Sequence, residues 1–338
     1  MALEKLMGVM RPAIEDQLKN IILSTINEEN FHDLASMLCY HLGWEGEGAG
    51  PEAQGKRIRP LLVLLCTTAA GADWPQALPA ALAVELLHNF SLIHDDIQDQ
   101  SRERRGRPTI WTKWGIAQAI NAGDLMFTLA NHSLLSLQAD HDEGVVIRGI
   151  EILYQTSISL TKGQFLDLAY EKEKIIPMEA YWPMIAGKTA ALLAASCELG
   201  ALVAGIIPEK VKAFREFGYL LGMAFQVQDD WLGIWGDVSA TGKSNKNDLV
   251  TGKKSLPVLY ALNQNKGFFK RWKLGEIEPK EVADLVKLMA LEGAEAYTRE
   301  TADRLTAEAL QALERSGGIG DGMVSLQELT SILLTRVR

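Results

Sequence analysis

Apolar residues along this 338-residue chain recur at helical spacing, and strand-like alternation is scarce. The spacing predicts helices over about 3–27, 31–42, 58–70, 76–101, 115–138, 144–172, 178–204 and 209–236, with shorter ones from 255 to the end. Breaks fall where Gly, Pro and Asp gather: WEGEGAGPEAQG (44–55), RRGRPT (104–109), IIPEK (206–210) and SATGKSNKNDLVTGKK (239–254). No repeat and no low-complexity linker separates two cores, so the pattern predicts a single all-α domain over 1–338. One stretch, TAALLAASCELGALVAGIIP (189–208), is apolar enough to test as a membrane span. Glu198 at its centre and its many small residues favour a packed interior helix, and no membrane span is expected.

Composition sharpens this picture. With 47% hydrophobic and 23% charged residues the chain has the make-up of a soluble protein with a substantial core. A net charge of −9 speaks against nucleic acid or an anionic membrane as the main partner, and it makes any basic cluster stand out. Three scattered cysteines, Cys39, Cys66 and Cys197, form no CxxC and suit buried thiols in a reducing compartment. The first residues, MALEKLMGVMRPAIEDQL, show no signal-peptide pattern, and a cytoplasmic location is expected.

Candidate chemistry concentrates in FSLIHDDIQDQSRERRGRPT (90–109). A helix advances about 100° per residue, so Asp95 and Asp99 share one face, which His88 and Ser91 extend, while Asp96 lies at its border. Two aligned carboxylates repel each other on a bare helix, so something positive belongs there. One reading is a solvated acidic face paired with Arg102, Arg104 or Arg105. The other starts from the almost wholly apolar run before the acids, AALAVELLHNFSLI, which points them into a cavity. Hard oxygen ligands without Cys, and without an EF-hand loop, suit magnesium, which bridges carboxylates to phosphate. The arginines are then phosphate clamps rather than counterions of the acids.

A similar arrangement recurs in AFQVQDDWLGIWGD (224–237): Asp229 and Asp230 end an apolar run, with Gln226 one turn before. Lys243, Lys246, Lys253 and Lys254 follow in a turn-rich stretch; Lys246 reads as solvated. GKRIRP (55–60) opens a helix after a Gly-rich loop, where backbone N–H groups favour an anion. ATGKS (240–244) and GKT (187–189) lack the first glycine of a P-loop. His32, His41, His132 and His141 show no partner pattern and read as structural or surface residues, and His94 reads as packing.

With these segments in order, together with GIAQAINAGD (115–124), GQFLDL (163–168), GKTAAL (187–192), TGKSNKNDL and GKKSLPVLYAL, the sequence resembles the trans-isoprenyl diphosphate synthases, the polyprenyl synthetase family. The resemblance covers roughly 50–262. It implies antiparallel helices around a deep central cavity, a homodimer, and about three magnesium ions per site. It also implies head-to-tail condensation of an allylic diphosphate (dimethylallyl, geranyl or farnesyl) with isopentenyl diphosphate. By position Asp95, Asp99 and Asp229 match magnesium ligands, with Asp96 and Asp230 beside them. Arg104, Lys188, Thr189, Gln226, Lys243 and Lys253 match contacts to the allylic diphosphate. Lys56, Arg59, His88 and Arg105 match the isopentenyl diphosphate pocket, whereas Arg57 and Arg107 match less clearly defined positions, for which a surface charge is one reading.

Two departures stand out. The second acidic motif ends on Gly233 where many relatives have Asp, with Asp237 two turns beyond Asp229, and Gln54 replaces a glycine before Lys56. In the family an aromatic residue five places before the first motif, with no insertion in the motif, goes with short products. Phe90 stands there, followed by Ser91, which resembles geranylgeranyl diphosphate synthases, with farnesyl diphosphate or a longer product as alternatives. The helix wheel puts Phe90 about 140° from Asp95 and puts Ser91 and Leu87 nearer its line, so the blocking role rests on resemblance. Two rivals remain: a class I terpene cyclase, which would lack the GKRIRP and RRGRPT segments, and a silent regulatory subunit, which would have lost an acidic pair. The amphipathic stretch 265–338 gives no functional signal.

Overall fold

The structure is a computed structural model that describes residues 1–26, 28–236 and 247–334. It is all-α: the only strands among the described residues are Glu103–Arg104 and Arg107–Pro108, paired antiparallel. The helices are α1 (Ala2–Thr25), α2 (His32–His41), α3 (Pro51–Gln54), α4 (Ile58–Ala69), α5 (Leu78–Gln98), α6 (Ile110–Trp114), α7 (Ile116–Leu135) and α8 (Glu143–Glu171). They continue as α9 (Tyr181–Ile185), α10 (Ala191–Val203), α11 (Pro208–Trp235), α12 (Asn247–Val250), α13 (Leu256–Asn263), α14 (Gly267–Trp272), α15 (Val282–Leu291), α16 (Ala294–Arg315) and α17 (Gly320–Leu334).

The helices forecast from apolar spacing match α1, α2, α4, α5, α7, α8, α10 and α11 to within a few residues. The difference lies at 178–204, where one π-type turn, Ala186–Ala190, joins α9 to α10. An added residue in a helical turn leaves the apolar period almost undisturbed, so it is invisible to spacing alone.

The chain forms two compact units. The first comprises Met1–Ser157, Ala195–Arg215 and Ser316–Leu326; the second comprises Ile158–Ala194, Glu216–Arg315 and Gln327–Arg338. In the first, α1 buries the stripe Met10, Ile14, Leu18 and Ile22, one residue per turn, and α4 is buried along almost its whole length. Helix α5 starts with Pro79 in its first turn, where the missing N–H costs nothing. Against α7 it packs closely enough that the His94 ring occupies the space a side chain at Gly123 would need. In the second unit Phe268, Tyr181, Leu256, Val258, Val282 and Met289 form a core to which the helices after 265 contribute, so that stretch is structural in part.

Two stretches, Trp74–Gln98 and Met178–Val203, are long and apolar enough to cross a membrane, yet 61% and 78% of their apolar windows are buried, which marks them as core helices. Glu198, the acid noted in the second of these, is 8% exposed and is held by Arg148 and Arg215, each at 3.2 Å.

Candidate functional site

In the first unit, α5 delivers its acids at the C-terminal end. Asp96 is 2% exposed and takes two hydrogen bonds from Arg104 Nε, at 2.9 and 3.0 Å, with Arg104 Nη2 at 2.8 Å. Asp95 is half-buried, 3.6 Å from the same guanidinium, and Asp99 is exposed. Burial raises the Asp96 carboxyl despite the opposing pull of Arg104. Arg104 is thus a counterion of the acidic pair in this state, which corrects the assignment of the arginines as phosphate clamps alone. The physical reason is that a buried carboxylate needs a donor whether or not a ligand is present.

The RRGRPT segment is the two-stranded hairpin. Arg105 and Gly106 are its two central residues, with φ of 53° and 72°, as a tight two-residue turn of this twist requires. Thr109 Oγ1 and Trp111 Nε1 both donate to the Ser101 carbonyl, at 2.9 Å each, and tie the hairpin's base. Arg107 is no surface charge: it is 7% exposed, donates to the carbonyls of Tyr40, Glu45 and Glu47, and stacks 3.9 Å over the Tyr40 ring.

Two arginines two positions apart on GKRIRP meet opposite fates. Arg57 is 3% exposed and meets Glu15 at 2.7 Å, Glu85 at 2.8 Å and the Leu42 carbonyl at 3.1 Å, so it too is structural rather than a surface charge. Half-buried Arg59 makes no salt bridge to a carboxylate among the described residues. Its Nη1 lies 3.2 Å from His88 Nε2, and its buried Nε has no partner. Arg105 donates to the Ala53 carbonyl at 2.7 Å and lies where a side chain at Gly55 would go. Burial, with Arg59, Arg105 and Arg104, holds the His88 imidazole well below its usual range. His41, read from sequence as structural or surface, belongs to the same cationic cluster: burial, then Arg104, Arg105 and Arg57, push it down to about 3. These groups leave a surplus of positive charge, an arrangement suited to an anion. Lys56 is exposed beside them.

The second unit contains Lys188 and Thr189 in the π-type turn, clamped by two glycines. A side chain at Gly163 of α8 would run into the backbone of Gly187 and Lys188, and one at Gly222 of α11 would lie 2.6 Å from Ala190 Cα. One turn after each glycine comes a polar partner. Asp167, four residues past Gly163, holds Lys188 Nζ at 2.5 Å; Gln226, four past Gly222, accepts from Thr189 Oγ1 at 2.8 Å. Close backbone approach explains why GQFLDL and GKTAAL both carry glycine.

Asp230 is the hub of the second acidic pair. It is 1% exposed; its Oδ2 accepts from Tyr181 Oη at 2.7 Å and Leu256 N at 3.0 Å, and its Oδ1 accepts from Gln226 Nε2 at 3.1 Å. Lys253 Nζ lies 3.7 Å from Oδ1 and 3.6 Å from Asp248 Oδ2. Burial opposes the Lys253 charge, but Asp230, Asp248, Asp229 and Asp167 outweigh it and raise the ammonium's pKa, so it stays protonated. Asp229 is exposed. At Gly233, a side chain would lie 2.6 Å from Asp248 Oδ2: an acid from α12 stands where the second motif lacks one.

The structure therefore gathers Arg59, His88, Arg104, Arg105, Asp95 and Asp96 in one unit, and Lys188, Thr189, Gln226, Asp230 and Lys253 in the other. Lys243, Lys246 and Asp237 lie outside the described residues. Phe90 packs its ring against His94 at 4.8 Å and Phe127 at 5.2 Å; Ser91 Oγ donates to the His88 carbonyl, and Leu87 is fully buried. Asp167, Tyr181 and Asp248 are not singled out by the sequence, which offers His41 only as a structural or surface residue. For Asp167 the signal was its four-residue spacing from Gly163; the others depend on long-range partners. Among the described residues no three His, Cys, Asp or Glu gather to hold a metal unaided. Asp95, Asp99 and Asp229 are hard oxygen donors of the type magnesium takes when water and phosphate complete its shell.

A model of the polyprenyl synthetase family matches residues 50–290. A (2E,6E)-farnesyl diphosphate synthase of Mycobacterium tuberculosis is 37% identical over 310 residues, 89% of this chain and 85% of that protein. A geranylgeranyl diphosphate synthase of the same organism is 44% identical over 232 residues, 68% of this chain and 65% of its own. Among solved structures, a geranylgeranyl pyrophosphate synthetase from Pyrococcus horikoshii superposes with a TM-score of 0.87 at 31% identity, covering 99% of both chains.

Proposed function

The chain belongs to the polyprenyl synthetase family and is a prenyltransferase of the short-chain trans type, and we propose that it condenses isopentenyl diphosphate with an allylic diphosphate to give geranylgeranyl diphosphate. The observation that carries this reading is the charge imbalance around Arg59, His88 and Arg105, where cations converge without carboxylate partners among the described residues. A diphosphate is the kind of ligand that suits such a cluster of cations. Lys56, Arg59, His88 and Arg105 bind the isopentenyl diphosphate headgroup and hold its double bond for attack, a proximity effect.

Lys188, Thr189, Gln226 and Lys253 are assigned to the allylic diphosphate, and Lys188 would exchange Asp167 for a phosphate oxygen on binding it; Arg104 is assigned to the same ligand from its place in the sequence alone. Lys243 is assigned there too, from its place in the sequence. Asp95 and Asp99 in one unit, and Asp229 in the other, are the residues that would hold magnesium, and Asp248 would supply the acid that Gly233 leaves out. When bound, the ion would supply charge neutralisation at the leaving diphosphate oxygens. Fixed cations aimed at that charge are each worth roughly 3–4 kcal/mol of barrier. Asp95→Ala should therefore cut turnover by about two to three decades while circular dichroism stays unchanged. Turnover at the parental level would defeat the ligand assignment.

Phe90, seated between His94 and Phe127, supports a short product, with farnesyl diphosphate as the alternative that one of the relatives' names favours. Incubation with isopentenyl diphosphate, magnesium and each allylic primer, followed by sizing of the dephosphorylated alcohols, decides between them. Phe90→Ala should lengthen the products. Ile147, Tyr154, Ile158 and Phe165, exposed and spaced seven, four and seven along α8, support a homodimer, which sedimentation would test. A cytoplasmic enzyme fits the burial of both long apolar helices.

A further inference from the structure

We propose that Tyr181 is a positioning residue for the allylic diphosphate, acting through Asp230 on Lys253 and Gln226. The inference rests on the reading that Lys253 and Gln226 face that diphosphate, and extends it to the hydroxyl of a tyrosine whose ring packs in the core.

Asp230 has two carboxylate edges with different duties. Oδ2 is fixed by Tyr181 Oη at 2.7 Å and the Leu256 amide at 3.0 Å, the first a side chain and the second backbone. Oδ1 faces Gln226 Nε2 at 3.1 Å and Lys253 Nζ at 3.7 Å, the two groups that bear on the ligand. Gln226 in turn accepts from Thr189 at 2.8 Å, so one carboxylate orients three phosphate-binding side chains. A carboxylate can rotate about its bond to Cβ, and the Leu256 amide alone does not stop that rotation. The Tyr181 hydroxyl does, because its ring is itself immobile: it is 1% exposed and lies edge-on to Trp182, with centroids 5.2 Å apart.

The hydroxyl is also a dependable donor. Burial and the Asp230 charge raise its pKa well above the ordinary tyrosine value, so it keeps its proton throughout the working range. Removing it leaves Oδ2 with one donor and frees the Oδ1 edge to swing. Lys253 then falls towards Asp248, its second partner at 3.6 Å, and away from the ligand. The loss should appear in allylic binding, where the three side chains act together, and not at the isopentenyl diphosphate pocket, whose residues belong to the other unit.

The test is a double-mutant cycle on the full enzyme with magnesium, varying each diphosphate in turn. Tyr181→Phe should raise KM for the allylic diphosphate about tenfold, with KM for isopentenyl diphosphate unchanged; tenfold corresponds to about 1.4 kcal/mol, the scale of a hydrogen bond to a charged group. Lys253→Met should raise the same constant at least as far, and Tyr181→Phe added to it should cost little more. Equal rises in both KM values, or full additivity in the double variant, would reduce Tyr181 to a structural residue and overturn the inference. An effect of Lys253→Met with none of Tyr181→Phe would overturn it while sparing the reading of Lys253. A silent Lys253→Met would sink both. If Tyr181→Phe does not fold, Asp230→Asn, which keeps the shape but removes the charge, must show the same allylic selectivity.

Discussion

The two aspartate pairs, Asp95–Asp96 and Asp229–Asp230, divide their work alike and differ in how firmly the inner member is held. In each, the first aspartate is the more open one and the second is buried, 2% exposed for Asp96 and 1% for Asp230. Asp96 leans on one side chain, Arg104, whereas Asp230 gathers donors from Tyr181, Gln226, Lys253 and the Leu256 amide. The paired motif therefore separates a more open member from a buried anchor that orients nearby donors. The number of donors on the anchor sets how much of the surrounding structure depends on it.

The largest effect expected from this difference is on Asp230. Asp230→Ala would strand a buried hydroxyl and a nearby ammonium, and should lower unfolding free energy by about 3–5 kcal/mol in urea titrations. Asp96→Ala strands only Arg104, whose partly exposed guanidinium can turn to water, and should cost roughly 1–3 kcal/mol in the same measurement. Equal losses would erase the distinction drawn between the anchors.

Acid should act first on the unit that carries Asp96. His41 and His88 are held neutral there by burial and by Arg57, Arg59, Arg104 and Arg105, with folded values of about 3 for His41 and well below 6.5 for His88. The unfolded chain protonates both near 6.5, so below that pH it binds more protons than the native state. Stability should fall as pH drops from about 6.5 towards 3, by up to about 1.4 kcal/mol per pH unit for each ring. Thermal melts of His41→Gln should lose part of that slope; an unchanged slope would detach His41 from the cluster.

The smallest change in stability is expected at Arg59. Arg59→Met removes a cation without a carboxylate partner and should leave the melting temperature within about 2 °C of the parent, a shift of about 0.5 kcal/mol or less. KM for isopentenyl diphosphate should nonetheless rise steeply, the mark of a charge kept for a ligand.

Helix positions were legible because burial imposes a period of 3.6, and α1, with Met10, Ile14, Leu18 and Ile22 in one stripe, shows how directly. The acidic ends of α5 and α11 were legible too, since carboxylates closing an apolar run are anomalous anywhere. What spacing could not reveal was the choice of partner. Arg57 and Arg59 look equivalent in GKRIRP, and they part ways because Glu15, 42 residues away in sequence, reaches one and not the other. Tyr181 and Asp230 are separated by 49 residues and meet only through folding. Where Gly233 broke the expected acidic pattern, the compensating Asp248 came from another element altogether.

The single wide turn at Ala186–Ala190 governs how this stretch tolerates insertions and deletions. Dropping one residue there would rewind it to an ordinary helix and leave α9 and α10 nearly in their present register, because the extra residue is taken up within the turn. Tyr181 would still face its carboxylate, while Lys188 and Thr189, which lie in the turn itself, would be re-aimed. A one-residue deletion elsewhere between residues 181 and 203 has no such outlet and would turn one end of the helix by about 100° against the other.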